Sequence, residues 1–97
     1  MINIQEIYAA RKRIAPLVER TPLEYSRLLS DMTGAQVYLK LEMMRETRAF
    51  KVRGATNFLV ALSPEERSRG VVAASGGSHA VGVAYAAAKL GAPATIV

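Results

Sequence analysis

The feature that most constrains the fold is a strand–turn–helix–strand pattern at the end of the chain. Residues 71–74 form a short apolar segment, and the glycine-containing turn at residues 75–78 separates it from a run of small and apolar residues at 79–90. Gly91 ends that helical segment, and residues 94–97, ATIV, begin another strand. Strands that alternate with helices predict a parallel sheet in an α/β protein. A buried strand at the very end would leave a sheet edge open, so we expect the start of a longer protein.

Local start and stop signals predict the elements that come before this pattern. Asn3 is a candidate N-cap for a helix that Pro16 ends or kinks. Residues 26–33 predict a short helix closed by Gly34, and residues 36–41, QVYLKL, predict a strand. Residues 63–66, Ser-Pro-Glu-Glu, provide an N-cap, a first-turn proline and a capping-box glutamate for another helix.

Composition places the chain among globular proteins. Its 97 residues are 51% hydrophobic and 22% charged, which suits one small domain with a modest core. The chain has no cysteine and a single histidine, so we expect no disulfide and no metal site. The net charge is +5, but the one dense basic run, residues 11–13, has no interleaved aromatic residues. We therefore expect a solvated basic surface, no nucleic-acid partner and no membrane segment.

One lysine lies in line with an apolar helical stripe. Ala55, Phe58, Leu59 and Leu62 follow the spacing of a buried helix face, and Lys51 precedes Ala55 by one turn. An ammonium group buried without a partner is costly. The side chain therefore either extends to solvent, pairs with a carboxylate, or uses a neutral amine for covalent chemistry. Periodicity alone leaves these alternatives open and favours the first.

The turn Ser75-Gly76-Gly77-Ser78 stands where α/β proteins bind ligands, between a strand and a helix. Glycines let backbone N–H groups approach an anion, and a helix N-terminus favours negative charge, so a carboxylate or phosphate fits there. The alternative is a tight turn with Ser78 as a simple N-cap. The next residue, His79, is more often a packing and hydrogen-bonding group than a catalyst in this position.

Taken together, these segments resemble the cofactor-binding segments of fold-type II pyridoxal-phosphate enzymes. Residues 39–42, LKLE, then Thr47 and residues 50–55, FKVRGA, are similar to the pattern K-x-E … T-G-S-F-K-x-R-G-A of threonine dehydratases and serine racemases. Residues 74–80, ASGGSHA, are similar to the S-x-G-N-H-A loop of that family, and residues 20–23 match its R-T-P-L stretch. The resemblance covers nearly the whole chain.

This resemblance implies roles for the residues of both segments. Lys51 would carry pyridoxal 5'-phosphate on its amine and later move the Cα proton of the substrate. Phe50 would pack beside the cofactor, and Ser78 would face its ring hydroxyl. The substrate carboxylate would be held by the turn, at Ser75, Gly76, Gly77 and His79.

The chain departs from the family pattern at several of these positions. Ser78 replaces the usual Asn, and a hydroxyl is shorter than an amide, so a contact to the cofactor is lost or passes through water. Ala49 stands in place of Ser, and Arg48 in place of Gly. Gly76 occupies the position where serine racemases carry an acid/base serine, which favours dehydration over racemisation.

The resemblance also implies a fold and a domain organisation. We expect residues 1–97 to be a single, incomplete α/β region, the N-terminal segment of a larger two-domain enzyme related to the tryptophan synthase β fold. The complete architecture would be a three-layer α/β/α structure around a parallel sheet. In the family, the glycine-rich phosphate loop and the residue facing the pyridine nitrogen come later, so this polypeptide alone should hold the cofactor poorly.

The implied activity is β-elimination of a hydroxy amino acid, L-threonine or L-serine, to a 2-oxo acid and ammonia. One alternative is a related reaction, such as threonine synthesis, hydroxyaspartate dehydration or cysteine synthesis. The other is a non-catalytic fragment or inactive relative that acts through protein contacts. We expect a small amino-acid substrate, a cytoplasmic location, and a homodimer or homotetramer for the full-length enzyme.

Overall fold

The computed structural model describes residues 1–97 and contains five α-helices, four short strands and one 3₁₀ turn. The strands are three residues each, and the longest helix has 13 residues. None of the helices combines the length and apolar character that a membrane crossing requires. In chain order the elements are α1 Ile4–Ile14, β1 Leu23–Tyr25, α2 Arg27–Thr33, β2 Tyr38–Lys40, the 3₁₀ turn Glu42–Met44, α3 Lys51–Ala61, α4 Pro64–Arg69, β3 Val71–Ala73, α5 Ser78–Leu90 and β4 Ala94–Ile96.

The strands form two separate two-stranded sheets. In one, β3 and β4 are parallel, with Val71 paired to Ala94, as the strand–helix–strand pattern predicts. In the other, β1 and β2 are antiparallel, with Leu23 paired to Lys40. The expectation of one parallel sheet is therefore correct for the end of the chain and wrong for β2. The connection, residues 26–37, is at the lower limit for a parallel crossover, and its helix has only seven residues, which suits an antiparallel pair.

The core lies between α3 and α5. Leu59 and Ala86 are almost completely buried, and Ala55 and Val83 pack in the same cluster. A second, smaller cluster joins α1 to the start of α3; its buried members are Ile14, Val18 and Val52. Small residues on α5 let the two helices approach closely, and this contact fixes where the start of α3 lies.

Helix ends follow the local signals in the sequence. The Asn3 side chain accepts a hydrogen bond from the backbone of Glu6, which reciprocates, and Ser63 and Glu66 form a second capping box. Gly34 ends α2 in the left-handed conformation, as predicted. These caps satisfy backbone groups at the helix ends that would otherwise lack partners.

The outer faces of the helices carry many apolar side chains. Ile4, Ile7 and Tyr8 follow helical spacing in α1, yet each is more than half exposed. Phe58, which the sequence places on the buried stripe of α3, is also 60% exposed. The amphipathic pattern is thus present, but part of each apolar face has no partner within the 97 residues.

Candidate active site

Lys51 is the first residue of α3, and its side chain is exposed. Its amine lies 5.5 Å from the centroid of the Phe50 ring, which is itself 60% exposed. The placement of Lys51 on the buried face is therefore wrong for this chain, and the alternative that periodicity favoured, a side chain that extends to solvent, is the one observed. The buried residues of α3 are Val52, Ala55, Thr56 and Leu59.

Helix geometry explains this correction. At about 100° per residue, the buried residues span an arc from about 40° to about 140° beyond Lys51 around the helix axis. Lys51 lies just outside that arc, next to Gly54 and Phe58, which are also exposed. The predicted stripe is centred about 30° beyond Lys51 and the buried arc about 90° beyond it, so the buried face lies about 60° further round the helix than the sequence indicated. Packing against α5 determines that centre.

The start of α3 lies directly against α5 at Gly82. A β-carbon built on Gly82 would be 3.0 Å from the backbone nitrogen of Val52 and 3.1 Å from the carbonyl carbon of Lys51. Gly82 is four residues after Ser78, or about 6 Å along the helix axis. The backbone of Lys51 thus contacts α5 about one helical turn after Ser78, although the two residues are distant in sequence.

The turn before α5 is organised by the hydroxyl of Ser75. Its Oγ accepts hydrogen bonds from the backbone N–H groups of Gly77, at 3.3 Å, and Ala80, at 3.2 Å. The alternative in which Ser78 is the N-cap is wrong, because the cap residue is Gly77 and Ser78 is already helical. Ser75 lies far enough before the helix for its hydroxyl to accept from the N–H groups of both Gly77 and Ala80. Ser78 cannot do this, because it already belongs to the first helical turn.

Three backbone N–H groups of this segment have no acceptor within the chain: those of Gly76, Ser78 and His79. All three belong to the turn or the first helical turn of α5, where the helix dipole favours a negative charge. Their side chains, where present, are exposed. Free amides at the start of a 13-residue helix form an anion-binding arrangement of the kind that a carboxylate can occupy.

The other two predicted site residues, Ser78 and His79, are the first residues of α5. The hydroxyl of Ser78 makes no hydrogen bond within the chain. His79 lines an apolar groove of 330 Å³ together with Gly54, Phe58 and strand β3. The structure therefore packs the start of α3, which contains Lys51, against α5 about one turn after Ser78, and His79 also lines the groove between α3, β3 and α5.

A cluster around Glu42 was not anticipated from the sequence. Arg53 donates two hydrogen bonds to its carboxylate, from Nε and from a terminal nitrogen, each 2.8 Å long. The hydroxyl of Thr21 donates a third at 2.5 Å, and Nε of Arg45 lies 3.4 Å away. Lys40 donates to the carbonyl oxygen of Thr21. The cluster joins the R-T-P-L stretch, the K-x-E stretch and the helix that begins at Lys51.

The charge of Glu42 is strongly favoured in this cluster. The hydrogen bonds from Arg53 lower the pKa of the carboxyl from 4.5 to about 2, with help from Thr21 and from the nearby charges, against the opposing effect of burial. The signal available in the sequence was that Glu42 and Arg53 are both charged residues within the motifs that resemble the family. Their pairing was not predictable because the partners are far apart along the chain.

The loop that leads into Lys51 contains one strained backbone position. Arg48 has a φ of 54°, the only positive φ among the non-glycine residues. This is the position at which the resembling family usually has glycine, and the left-handed conformation explains that preference. Thr47, which is buried, donates a hydrogen bond from its hydroxyl to the carbonyl of Ala49 across this position.

Comparisons with known proteins find relatives that match almost the whole chain. The chain is 53% identical over all 97 residues to L-threonine ammonia-lyase of Thermotoga maritima, and spans 24% of that protein. Among solved structures, maize serine racemase matches with a TM-score of 0.90 and 45% identity over 97% of this chain and 30% of its own. The solved threonine deaminase from T.th. matches with a TM-score of 0.85 and 46% identity, over 99% of this chain and 33% of its own.

These proteins are fold-type II enzymes, so the expected fold class is confirmed. The chain spans about a quarter to a third of the length of the relatives it matches. Residues 14–97 match the family described as pyridoxal-phosphate dependent enzyme, which is most of the sequence. The chain therefore belongs to the pyridoxal-phosphate dependent enzyme family.

Proposed function

We propose that these 97 residues are the N-terminal segment of a two-domain dehydratase that acts on L-threonine or L-serine. The observation that carries the proposal is the packing of the Lys51 backbone against Gly82, one helical turn from the free amides of the glycine turn. A lysine whose backbone packs one helical turn from an anion-binding turn suits a small molecule that has a carboxylate and a reacting carbon next to it.

The residues present fit pyridoxal 5'-phosphate in this role. The amine of Lys51 is exposed and makes no hydrogen bond or ion pair, so it is free for covalent attachment to an aldehyde. Phe50 offers an exposed aromatic face beside it, and the hydroxyl of Ser78 is free to contact a polar ring substituent. When bound, this cofactor supplies an electron sink for negative charge at the Cα of an amino acid.

In the proposed reaction the chain's own residues bind and move protons. The N–H groups of Gly76, Ser78 and His79 would hold the substrate carboxylate, and Ser75 would keep the turn in shape through its two hydrogen bonds. The amine of Lys51, once released from the cofactor, would take the Cα proton. L-Threonine loses water and then reacts with water, so the products are 2-oxobutanoate and ammonia; L-serine gives pyruvate and ammonia.

Racemisation is the second candidate, because maize serine racemase matches this chain closely. A β-carbon at Gly76 would meet no atom within 4 Å, so a serine at this position is sterically possible. The glycine that is present carries no acid/base group for the opposite face of the substrate. The proposal therefore favours elimination.

The full-length protein is further proposed to be a cytoplasmic homodimer or homotetramer. The exposed apolar side chains of several helices need cover from the rest of the chain or from a second copy, and the proposal assigns part of that cover to a second copy. Sedimentation of the purified protein at micromolar concentration would measure this, and a monomer there would remove the proposal.

The activity is tested with protein expressed from its complete reading frame. Borohydride reduction followed by peptide mapping should find the cofactor on Lys51, and Lys51→Ala should abolish both this label and the release of 2-oxo acid. Lys89→Ala is the matched control, because Lys89 is also an exposed lysine beside an aromatic ring. A label on Lys40 or Lys89, or no 2-oxo acid from either substrate, would refute the assignment.

A further inference from the structure

The first turn of α3, which presents Lys51, has little local support. No side chain caps this end of the helix, and the preceding loop contains the strained residue Arg48. The side-chain hydrogen bonds made by residues 51–54 all come from Arg53, and both end on Glu42. Apart from the burial of Val52 against Ile14 and Val18 and the packing at Gly82, the orientation of this turn therefore depends on the contact with one carboxylate.

The Glu42 carboxylate is itself held in place from several directions. It accepts the hydroxyl of Thr21, and the side chain of Arg45 beside it is only 9% exposed. Arg45 in turn donates to the carbonyl oxygen of Glu19 at 2.9 Å. The Glu42 side chain is 17% exposed, so solvent screens its pair with Arg53 less than it screens a surface ion pair. A bidentate pair in these surroundings restrains direction as well as distance.

Because Arg53 and Lys51 belong to the same helical turn, the ion pair between Glu42 and Arg53 also affects the position of Lys51. Arg53 follows Lys51 by two residues, so the two side chains leave the helix about 160° apart. Holding the Arg53 side chain adds to the burial of Val52 in restraining the rotation of the turn about its axis, without touching the lysine amine. A small rotation of the turn would move that amine sideways relative to the free amides before α5.

We propose that Glu42 is a positioning residue, which grips Arg53 and thereby sets the direction in which Lys51 presents its amine to the glycine turn. The inference rests on the proposed function, because it assigns Glu42 a role only through Lys51. It goes beyond that function by giving a task to the R-T-P-L and K-x-E stretches, which contain none of the proposed reacting groups.

The test measures how fast Lys51 takes up pyridoxal 5'-phosphate in protein expressed from its complete reading frame. Cofactor is removed, then added back, and samples are reduced with borohydride at intervals and mapped by peptide. Glu42→Gln removes the charge, and Arg53→Lys keeps the charge but loses the two-pronged contact. Asp31→Asn is the control, because it removes an ion pair of 3.7 Å with Arg27 on an exposed face of α2.

We expect both variants to lower the rate constant of attachment by about 10- to 100-fold, and the control to leave it within twofold. A merely structural role would lower the amount of folded protein, and so the amplitude, while the rate constant stayed unchanged. If Glu42→Gln does not fold, the rate constant measured for Arg53→Lys alone tests the proposal. Attachment to Lys51 at the wild-type rate constant would overturn this inference only, whereas attachment to another lysine in the wild type would overturn the proposed function too.

Discussion

Gly82 of α5 lies in backbone contact with Val52 of α3, and this contact sets how closely the two core helices cross. A β-carbon at Gly82 would be 3.0 Å from the Val52 nitrogen and 3.2 Å from its Cα. Both are backbone atoms, which cannot move aside as the end of a flexible side chain can. The glycine is thus required by close approach. It also places the start of α3 against the helix that follows the glycine turn.

We predict that Gly82→Ala destabilises the fold by about 1–3 kcal/mol, because the helices must separate to admit the methyl group. The gain in helix propensity, about 1 kcal/mol, offsets only part of this. Gly54→Ala is the matched control: a β-carbon there meets nothing within 4 Å, so it should stabilise by about 0.5–1 kcal/mol. Urea unfolding measures both, and a stabilised Gly82→Ala protein would show that the crossing is not tight.

Arg48 gives a prediction of the opposite sign. Its φ of 54° lies in the left-handed region, where a residue with a β-carbon is strained by about 1–2 kcal/mol. Arg48→Gly should therefore raise the free energy of unfolding by about 1 kcal/mol. The control Lys12→Gly, at an exposed position inside α1, should lower it by a similar amount. Equal destabilisation by the two substitutions would mean that Arg48 is not strained.

The buried hydroxyl of Thr56 is a third test of packing. The residue is 1% exposed, and its Oγ1 has no hydrogen-bond partner. Replacing that hydroxyl with a methyl group in Thr56→Val should stabilise the protein by about 1 kcal/mol. Thr21→Val should instead destabilise it by about 1–3 kcal/mol, because the Glu42 carboxylate loses a donor. Thermal unfolding distinguishes the two, and a loss of stability in both would indicate a hidden partner for Thr56.

The sequence predicted features that depend on neighbours along the chain. The caps at Asn3, Ser63 and Gly34 are confirmed, since each is a contact among residues a few positions apart. The strand–helix–strand pairing of β3 with β4 is also confirmed. The hydrophobic period of this strand–helix–strand segment and the glycines that end its elements are local signals too.

What the sequence could not provide were features determined by distant packing. The exposed face of Lys51 depends on where α5 crosses α3, and no period within α3 contains that information. The ion pair between Glu42 and Arg53 depends on a loop that brings two motifs together. Ser75 was identified as a turn residue, but its hydrogen bonds to Gly77 and Ala80 were not, since the path of the turn is set by the helix it enters.

Acid should unfold the protein partly through Glu42. Its pKa is lowered from 4.5 to about 2 in the folded state, so the stability it contributes is fully present above pH 4.5 and is lost as the pH falls towards 2. With allowance for solvent screening, we expect about 1–2 kcal/mol over this window. Glu42→Gln should flatten the curve of unfolding free energy against pH between these values. Glu24→Gln, at an exposed position in β1, is the control for loss of one carboxylate.

The two serines of the turn before α5 should differ sharply when each is replaced by alanine. Ser75→Ala removes the acceptor for the amides of Gly77 and Ala80, and a lost cap of this kind costs about 1 kcal/mol. Ser78→Ala removes a hydroxyl that bonds to nothing in the chain, so stability should stay within about 0.5 kcal/mol.

Hydrogen exchange at the first amides of α5 gives the sharper measurement of this difference. Exchange at Gly77 and Ala80 should speed up in Ser75→Ala and stay unchanged in Ser78→Ala, because only the first substitution frees those N–H groups to exchange with water. If Ser78→Ala were the destabilising change, the N-cap would be Ser78 after all. The Ala80 amide would then bond to Ser78 instead of Ser75, and the turn that presents the free amides would be shaped by a different serine.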